Sequence, residues 1–349
     1  MLAHRALRIS SSSTRGYRFS LARLFSCSVT RNTTALDLPT RRVPDVPSTL
    51  ASSPAAFLEY LRSPAAEPLI FRAPLSENGR AADELLRVLR AAGSDRLVEV
   101  EVGRYDRTAG GLNRVEVPLS MYLEWLTAER RPKTTGEGSE DIQLYLAQWR
   151  ARDEVPGLSE LVKTPSLLAP LLESRSVDLY QTSFFIGPSA MVTPLHYDPY
   201  FNLYNLYASS EPLVQAKHFV LFPPSLSEFL ARAEDGHIMR NTSLVDLHVH
   251  KRVAESEALP KEAHLAQDAF VISMDPDSAP SRTRDALLQP GAAWSCVLRE
   301  GDTLFVPRRW WHRVENVTLP QNKTGATPAS TSSVGWTAGV GWWFLPRSS

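Results

Sequence analysis

The chain has 349 residues, 43% of them hydrophobic, and its 38 lysines and arginines are balanced by 38 aspartates and glutamates. That length and apolar content suffice for one large domain or two small ones with a buried core. Neutrality excludes a global field that would draw the protein to nucleic acid or to an anionic membrane, and no stretch approaches the ~18 uninterrupted apolar residues of a bilayer span.

The first 36 residues stand apart. Arg5, Arg8, Arg15, Arg18, Arg23 and Arg31 are spread among serines and threonines, with no acidic residue before Asp37. This composition predicts a mitochondrial transit peptide over 1–36 and a matrix location; arginines interrupt every apolar run, which excludes the apolar region of a secretory signal. Cys27 falls in that segment and leaves Cys296 as the single thiol of the processed chain, so no internal disulfide is expected. Cys296 opens the apolar run "CVL" and reads as a core residue.

Residues 37–53, rich in proline and serine, read as a linker. From 54 to 140 the pattern predicts an N-terminal α/β extension. "PAAFLEYLR" has helical spacing, "PLIFRAP" is a short strand between prolines, and a helix is expected near 80–92. The alternation in "LVEVEVGRY" follows, and then a helix in "PLSMYLEWLTAERR", with Met121, Trp125 and Leu126 at helical spacing.

From 141 to 349 the chain changes to short strand-like runs: "IQLYLAQW", "VDLYQTSFFIG", "FNLYNLYA", "KHFVLFPP", "WSCVLREGDTLFVP" and "VGWTAGVGWWF". Many short strands with Gly and Pro between them predict a β-sandwich or barrel, so the fold is mainly β with α. The charged, turn-forming stretch 225–290 reads as an insertion between barrel strands, and 321–333 as a second loop.

The chemistry concentrates in "TPLHYDPYFN", residues 193–202. Side chains at i and i+2 of a strand leave the same face, so His196 and Asp198 can aim at one interior point. An imidazole and a carboxylate are two corners of a facial metal triad, and one more imidazole completes it. His312, at the end of the apolar run in "GDTLFVPRRWWH" and embraced by Trp310 and Trp311, is the third candidate. Tyr197, Tyr200, Phe201, Trp310 and Trp311 offer either dry walls for such a site or ordinary packing. A rival cluster in "DLHVH", Asp246 with His248 and His250, lacks a nearby fourth ligand at zinc spacing and reads as a solvated loop.

Taken together, "VTPLHYDPYFN", "KHFVLFPP" and "GDTLFVPRRWWH" resemble the cupin-like JmjC oxygenases over about residues 141–344. The likeness is to their hydroxylase branch, which includes the asparaginyl hydroxylase of the hypoxia-inducible factor and the tRNA wybutosine hydroxylase. The resemblance implies a double-stranded β-helix (jelly-roll) core, iron(II) held by His196, Asp198 and His312, and 2-oxoglutarate as cosubstrate. It implies that Lys217, which shares a strand face with Phe219 and Leu221, meets the distal carboxylate, because a desolvated ammonium needs an anion. Thr193 and Tyr145 match the positions that assist this lysine, and Asn202 matches a polar residue near the cofactor.

Two departures bear on that assignment. Extra residues, "LYASSEPLVQ", stand between Asn202 and Lys217 and would shift the lysine's register if they bulged within a strand. Gly341 stands in the last strand where the hydroxylases often have asparagine, which puts one supporting hydrogen bond in doubt. The expected activity is hydroxylation of a protein, RNA or small-molecule substrate, with demethylation or a non-enzymatic metal-binding scaffold as alternatives. The last strand-like run, "VGWTAGVGWWF", is followed only by "LPRSS", and a monomer is expected.

Overall fold

Apolar alternation and proline punctuation account for most elements of the computed structural model, which describes residues 35–74, 79–93, 95–102, 113–128, 143–230, 241–252, 269–320 and 335–347. Residues 35–349 form one unit. The expected transit peptide with Cys27 and the 321–333 loop lie outside the described residues, save positions 35 and 36.

Two short strands, β1 (Leu36–Asp37) and β2 (Thr40–Arg42), precede the helical turn α1 (Ser48–Ala51). The expected linker is therefore tied into the fold: β1 pairs with a strand of the later insertion, β2 runs parallel to a barrel strand, and Leu38, Val43 and Leu50 are buried. Proline there ends strands without loosening the chain, since edge positions need no second ladder partner.

Helix α2 (Pro54–Arg62) starts where the Ser53 side chain accepts from the Ala56 N–H and Pro54 supplies a preset φ. Strand β3 (Leu69–Phe71) leads to α3 (Arg80–Ala91), whose Ala82, Leu85, Leu86 and Leu89 make one buried stripe. The hairpin of β4 (Leu97–Val102) and β5 (Asn113–Pro118), α4 (Leu119–Thr127), β6 (Leu144–Trp149) and three short helices, α5 (Ala151–Glu154), α6 (Leu158–Leu161) and α7 (Ala169–Glu173), complete the first half.

The second half supplies β7 (Val177–Pro188), β8 (Val192–Tyr197), β9 (Phe201–Ser209) and β10 (Gln215–Phe222). After the insertion, which carries β11 (Leu247–Lys251), β12 (Phe270–Met274) and α8 (Ser281–Leu287), come β13 (Ala293–Leu298), β14 (Thr303–Val306), β15 (Trp311–Thr318) and β16 (Trp336–Pro346).

The largest sheet has the order β3-β14-β9-β16-β7-β6-β4-β5, a smaller one faces it as β2-β13-β10-β15-β8, and the insertion strands join the N-terminal strand in a third, β1-β12-β11. Along the chain, β7, β9, β14 and β16 fall in the larger sheet and β8, β10, β13 and β15 in the smaller, so the chain winds between two facing sheets. This is the expected double-stranded β-helix. Gly301, at φ 91°, turns the chain between β13 and β14 in a conformation a side chain would resist.

Three layers of apolar side chains hold the sheets. Between them lie Tyr204, Leu206, Phe219, Leu221, Cys296 and Leu304. The helices pack on the outer face of the larger sheet through Phe57, Leu85, Leu89 and Tyr122 against Phe184, Trp342 and Phe344. The insertion covers the outer face of the smaller sheet with Leu247, Ile272 and Met274 against Val220, Phe222 and Trp311.

"DLHVH" is not a solvated loop. It forms the start of β11 because Leu247 and Val249 pack inward, which sends His248 and His250 to the other side. The charged stretch after it likewise holds a helix, α8, anchored by buried Thr283 and Leu287.

Candidate metal centre

His196 lies near the end of β8, Asp198 just beyond it, and His312 is the second residue of β15. β8 and β15 are neighbours with His196 directly opposite His312, so two residues 116 positions apart become one cross-strand pair. One ligand atom from each of His196, Asp198 and His312 can be chosen so that all three lie within 4.8 Å of one another. The imidazole centroids are 4.2 Å apart, and His312 Nε2 stands 3.7 Å from Asp198 Oδ2.

The hydrogen bonds settle which nitrogens face the centre. His196 Nδ1 lies 2.8 Å from the Pro194 carbonyl, and His312 Nδ1 lies 3.1 Å from the Trp310 carbonyl. A carbonyl can only accept, so each Nδ1 carries the proton and each Nε2 presents a lone pair, as a metal-binding histidine requires. Burial first, and then the neighbouring His196, hold the His312 imidazole down to about 4, so it is neutral at pH 7. Two imidazole Nε2 atoms and a carboxylate suit a divalent first-row metal with open positions, and these residues fit iron(II) by their chemistry.

Asp198 is gripped twice. The Arg309 N–H donates to its carbonyl oxygen at 2.8 Å, from a turn in which Arg309 takes φ 65°. The Trp343 indole N–H donates to Oδ2 at 2.9 Å. On the other edge of β8 the insertion adds a bracket: the Tyr197 N–H donates to the Asn241 carbonyl at 3.1 Å, and Asn241 Nδ2 donates to the Tyr197 carbonyl at 2.7 Å.

Lys217 points inward, 1% exposed. Of the extra residues, 206–209 end β9 with a one-residue register shift at Tyr207, 210–214 form the turn and Gln215 opens β10; the shift stays in β9, and β10 keeps its register, with Lys217 opposite Asn316 and Leu221 opposite His312. Its ammonium donates to Asn316 Oδ1 at 2.6 Å and stands 5.8 Å from the Tyr145 ring and 5.9 Å from the Tyr204 ring. Asn316 Nδ2 donates to the Gly187 and Pro188 carbonyls, which fixes its oxygen toward the lysine. No carboxylate pairs with Lys217 among the described residues, and burial pushes its pKa down to about 7. Tyr145 is buried too; desolvation and then Glu101 raise its pKa, while a hydrogen bond from Thr193 opposes them. Thus Lys217, Tyr145 and Thr193 are neighbours.

Asn202, 4% exposed, has an Oδ1 without a partner among the described residues, and it lies opposite Trp343 in the β9–β16 ladder. Gly341 has a steric reason. A Cβ there would stand 3.0 Å from the Trp343 ring and 3.2 Å from Asn202 Oδ1.

Not every expected wall residue faces the centre. Trp310 joins the layer between the sheets, but Trp311 and Tyr197 pack edge to face on the insertion side, Phe201 belongs to the helix-covered layer, and Tyr200 stacks on Tyr180. Neighbours in a strand point to opposite faces, so Trp311 and Tyr197 had to turn away once His312, His196 and Asp198 turned in. Sequence reasoning missed Asn316 and Trp343. Both were within reach of the same period of two: His312, Val314 and Asn316 share a face, as do Gly341 and Trp343.

Among the described residues no helix is long and apolar enough to cross a membrane. The sequence model of the family described as "Cupin-like domain" matches residues 54–349. The chain is 26% identical over 234 residues to lysine-specific demethylase JMJ30 of Arabidopsis thaliana, covering 67% of this chain and 43% of that protein. It is 24% identical over 238 residues to Jumonji C domain-containing protein 5 of Drosophila melanogaster, covering 67% and 47%. To the bifunctional peptidase and (3S)-lysyl hydroxylase JMJD7 of Homo sapiens it is 30% identical over 133 residues, covering 38% and 37%. The chain spans less than half the length of these relatives. With that match, the two-sheet winding and the His-x-Asp…His cluster all agreeing, the chain belongs to the cupin-like JmjC family.

Proposed function

We propose that the protein is an iron(II)- and 2-oxoglutarate-dependent oxygenase that hydroxylates a protein, RNA or small-molecule substrate. The observation that carries this reading is the meeting, in one barrel, of a His-Asp-His cluster and a buried lysine that no carboxylate pairs with among the described residues. His196, Asp198 and His312 would hold the metal through Nε2, Oδ and Nε2. With dioxygen, the bound iron and cosubstrate supply oxidation of a substrate C–H bond, with succinate and CO2 as coproducts.

The chain's own residues hold and shield. Lys217, oriented by Asn316, offers its ammonium to the distal carboxylate, and an anion at that point removes the cost of an unpaired buried cation. Four residue steps along β10, from Lys217 to Leu221, lead to the rung of His312, a rise of about 13 Å that the two side chains and a five-carbon dicarboxylate can span. Thr193 and Tyr145 offer hydroxyls beside the lysine, and Asn202 offers an unpartnered amide oxygen.

Two of the relatives named above differ in chemistry by name, one a demethylase and one a lysyl hydroxylase. Demethylation is therefore the second reading; both begin by removing a hydrogen atom from a C–H bond. Matrix location is part of the proposal, supported by the arginine-rich, acid-free N-terminal stretch, and import of a reporter fused after residue 50 tests it.

The deciding experiment incubates the full chain with iron(II) and isotopically labelled 2-oxoglutarate, with extracts of mitochondrial protein, RNA and metabolites as substrate. Succinate formation lost in His196→Ala, together with a one-oxygen mass gain on a substrate molecule, supports hydroxylation. Formaldehyde release points to demethylation. Iron binding without any cosubstrate binding leaves a metal-holding scaffold.

A further inference from the structure

We propose that Trp343 is the positioning residue of the metal centre, and that Gly341 lacks a side chain so that the Trp343 indole can reach Asp198. This rests on the reading of His196, Asp198 and His312 as a metal site.

The three ligands are not equally restrained. Each imidazole is oriented by its own strand, through Nδ1 on the carbonyl two residues earlier, at Pro194 and Trp310. Asp198 has no such local anchor. It lies beyond the end of β8, the Arg309 N–H holds only its backbone carbonyl, and its side chain is 23% exposed. The single side-chain hydrogen bond found for its carboxylate among the described residues is the Trp343 indole at 2.9 Å. A carboxylate can rotate about two bonds, whereas the half-buried indole of Trp343 is held against Phe185 on a strand paired along both edges, so the donor sets the plane of the acceptor.

Trp343 is well placed for this task. It belongs to β16, which is hydrogen-bonded on both edges, to β7 and β9, so its backbone has little freedom. Its ring lies against Phe185, with centroids 5.8 Å apart. Beneath it, Gly341 presents no side chain, and an added Cβ would meet the far edge of the indole at 3.0 and 3.1 Å. That is tighter than a packed ring accepts without moving, and the ring's movement would draw the N–H from Asp198. The asparagine often found at this position in the hydroxylases would be larger still. Here the supporting hydrogen bond comes from two residues further along the same strand face.

The test uses the purified full chain without oxygen and cobalt(II) as the probe, read by calorimetry and by the visible absorption of the bound ion. Trp343→Phe keeps an aromatic ring but loses the N–H and the outer ring atoms that meet Gly341. The expected result is about a tenfold or greater loss of cobalt affinity with altered visible bands. Gly341→Ala should weaken binding in the same direction while the N–H is still present. In the double variant the Ala substitution should add little, because the atoms it displaces are already gone.

Wild-type affinity and an unchanged cobalt spectrum in Trp343→Phe would overturn the proposal. So would Gly341→Ala losses that multiply fully with those of Trp343→Phe. If the wild type binds cobalt no better than His196→Ala, the metal site itself is refuted, and the role of Trp343 with it. Thermal melts of each variant without metal separate a fold that has failed from a ligand that has turned.

Discussion

Lys217 and His218 are adjacent, both basic, and 1% and 0% exposed, yet they sit on opposite faces of β10 and have opposite fates. Lys217 faces the chamber between the sheets, where Asn316 and two tyrosine rings receive it. His218 faces the insertion. It meets Phe270 edge to face at 5.3 Å, and neither ring nitrogen has a partner among the described residues. Burial, and then Arg313, hold its pKa down to about 3. Burial alone therefore does not mark a functional group. A buried base becomes useful where polar groups converge on it and leave one place for an anion; elsewhere it is a neutral core residue.

The largest expected effect breaks the chamber side. Lys217→Met should weaken 2-oxoglutarate binding by about a hundredfold or more, since an ion pair out of water is worth roughly 3 kcal/mol or above. Without cosubstrate the same variant should unfold later, by about 1–4 kcal/mol, because an unpaired buried cation is gone. The sign follows from the lysine's lowered pKa. In the wild type the unfolded chain takes up the proton first, so stability falls as pH drops from 10.5 toward 7, and Lys217→Met should flatten that limb. Calorimetry and melts across pH check both halves; unchanged cosubstrate affinity would remove Lys217 from its assigned role.

The outer side is tested by His218→Leu. Because the folded pKa is depressed, the wild type keeps its full stability above pH 6.5 and loses it as pH falls toward 3. Between pH 6.5 and 4.5 this group should account for about 2–3 kcal/mol. Glu315, in the same rung of the ladder and already held by Arg313, is present in both proteins. His218→Leu should therefore gain acid resistance with metal and cosubstrate binding unchanged. An equal acid limb in both proteins would show that His218 finds a partner when charged.

Asn316→Asp sharpens the contrast by placing an anion beside the lysine. It should lower 2-oxoglutarate affinity about tenfold, as the new carboxylate competes for the same ammonium. Higher affinity would mean that Lys217 is not the group that meets the cosubstrate. The smallest effect is expected from Gly187→Ala. Its Cβ would stand 2.5 Å from the Tyr145 ring, which is too buried to yield, so a loss of about 1–2 kcal/mol of stability is expected. The same variant should weaken cosubstrate binding a few-fold, as the ring beside Lys217 moves.

Much of this was legible before any coordinates. Short strand-like runs between Gly and Pro marked β7, β9, β10 and β16, and the spacing of His196 and Asp198 already aimed both inward. The linker at 37–53 and the loop at "DLHVH" were misread for one reason. Short segments at a sheet edge become strands only when a partner strand is supplied, and nothing local announces the partner.

By itself, the sequence determined which side chains leave a strand on the same face, and hence that His196 could cooperate with Asp198 and Lys217 with Phe219. It could not determine which strands would be neighbours. The pairing of β8 with β15 put His312 opposite His196, the pairing of β10 with β15 put Asn316 opposite Lys217, and β16 brought Trp343 to Asp198. Those partnerships depend on how sheets close over a common core, a sum of many weak long-range contacts that no short stretch of sequence contains.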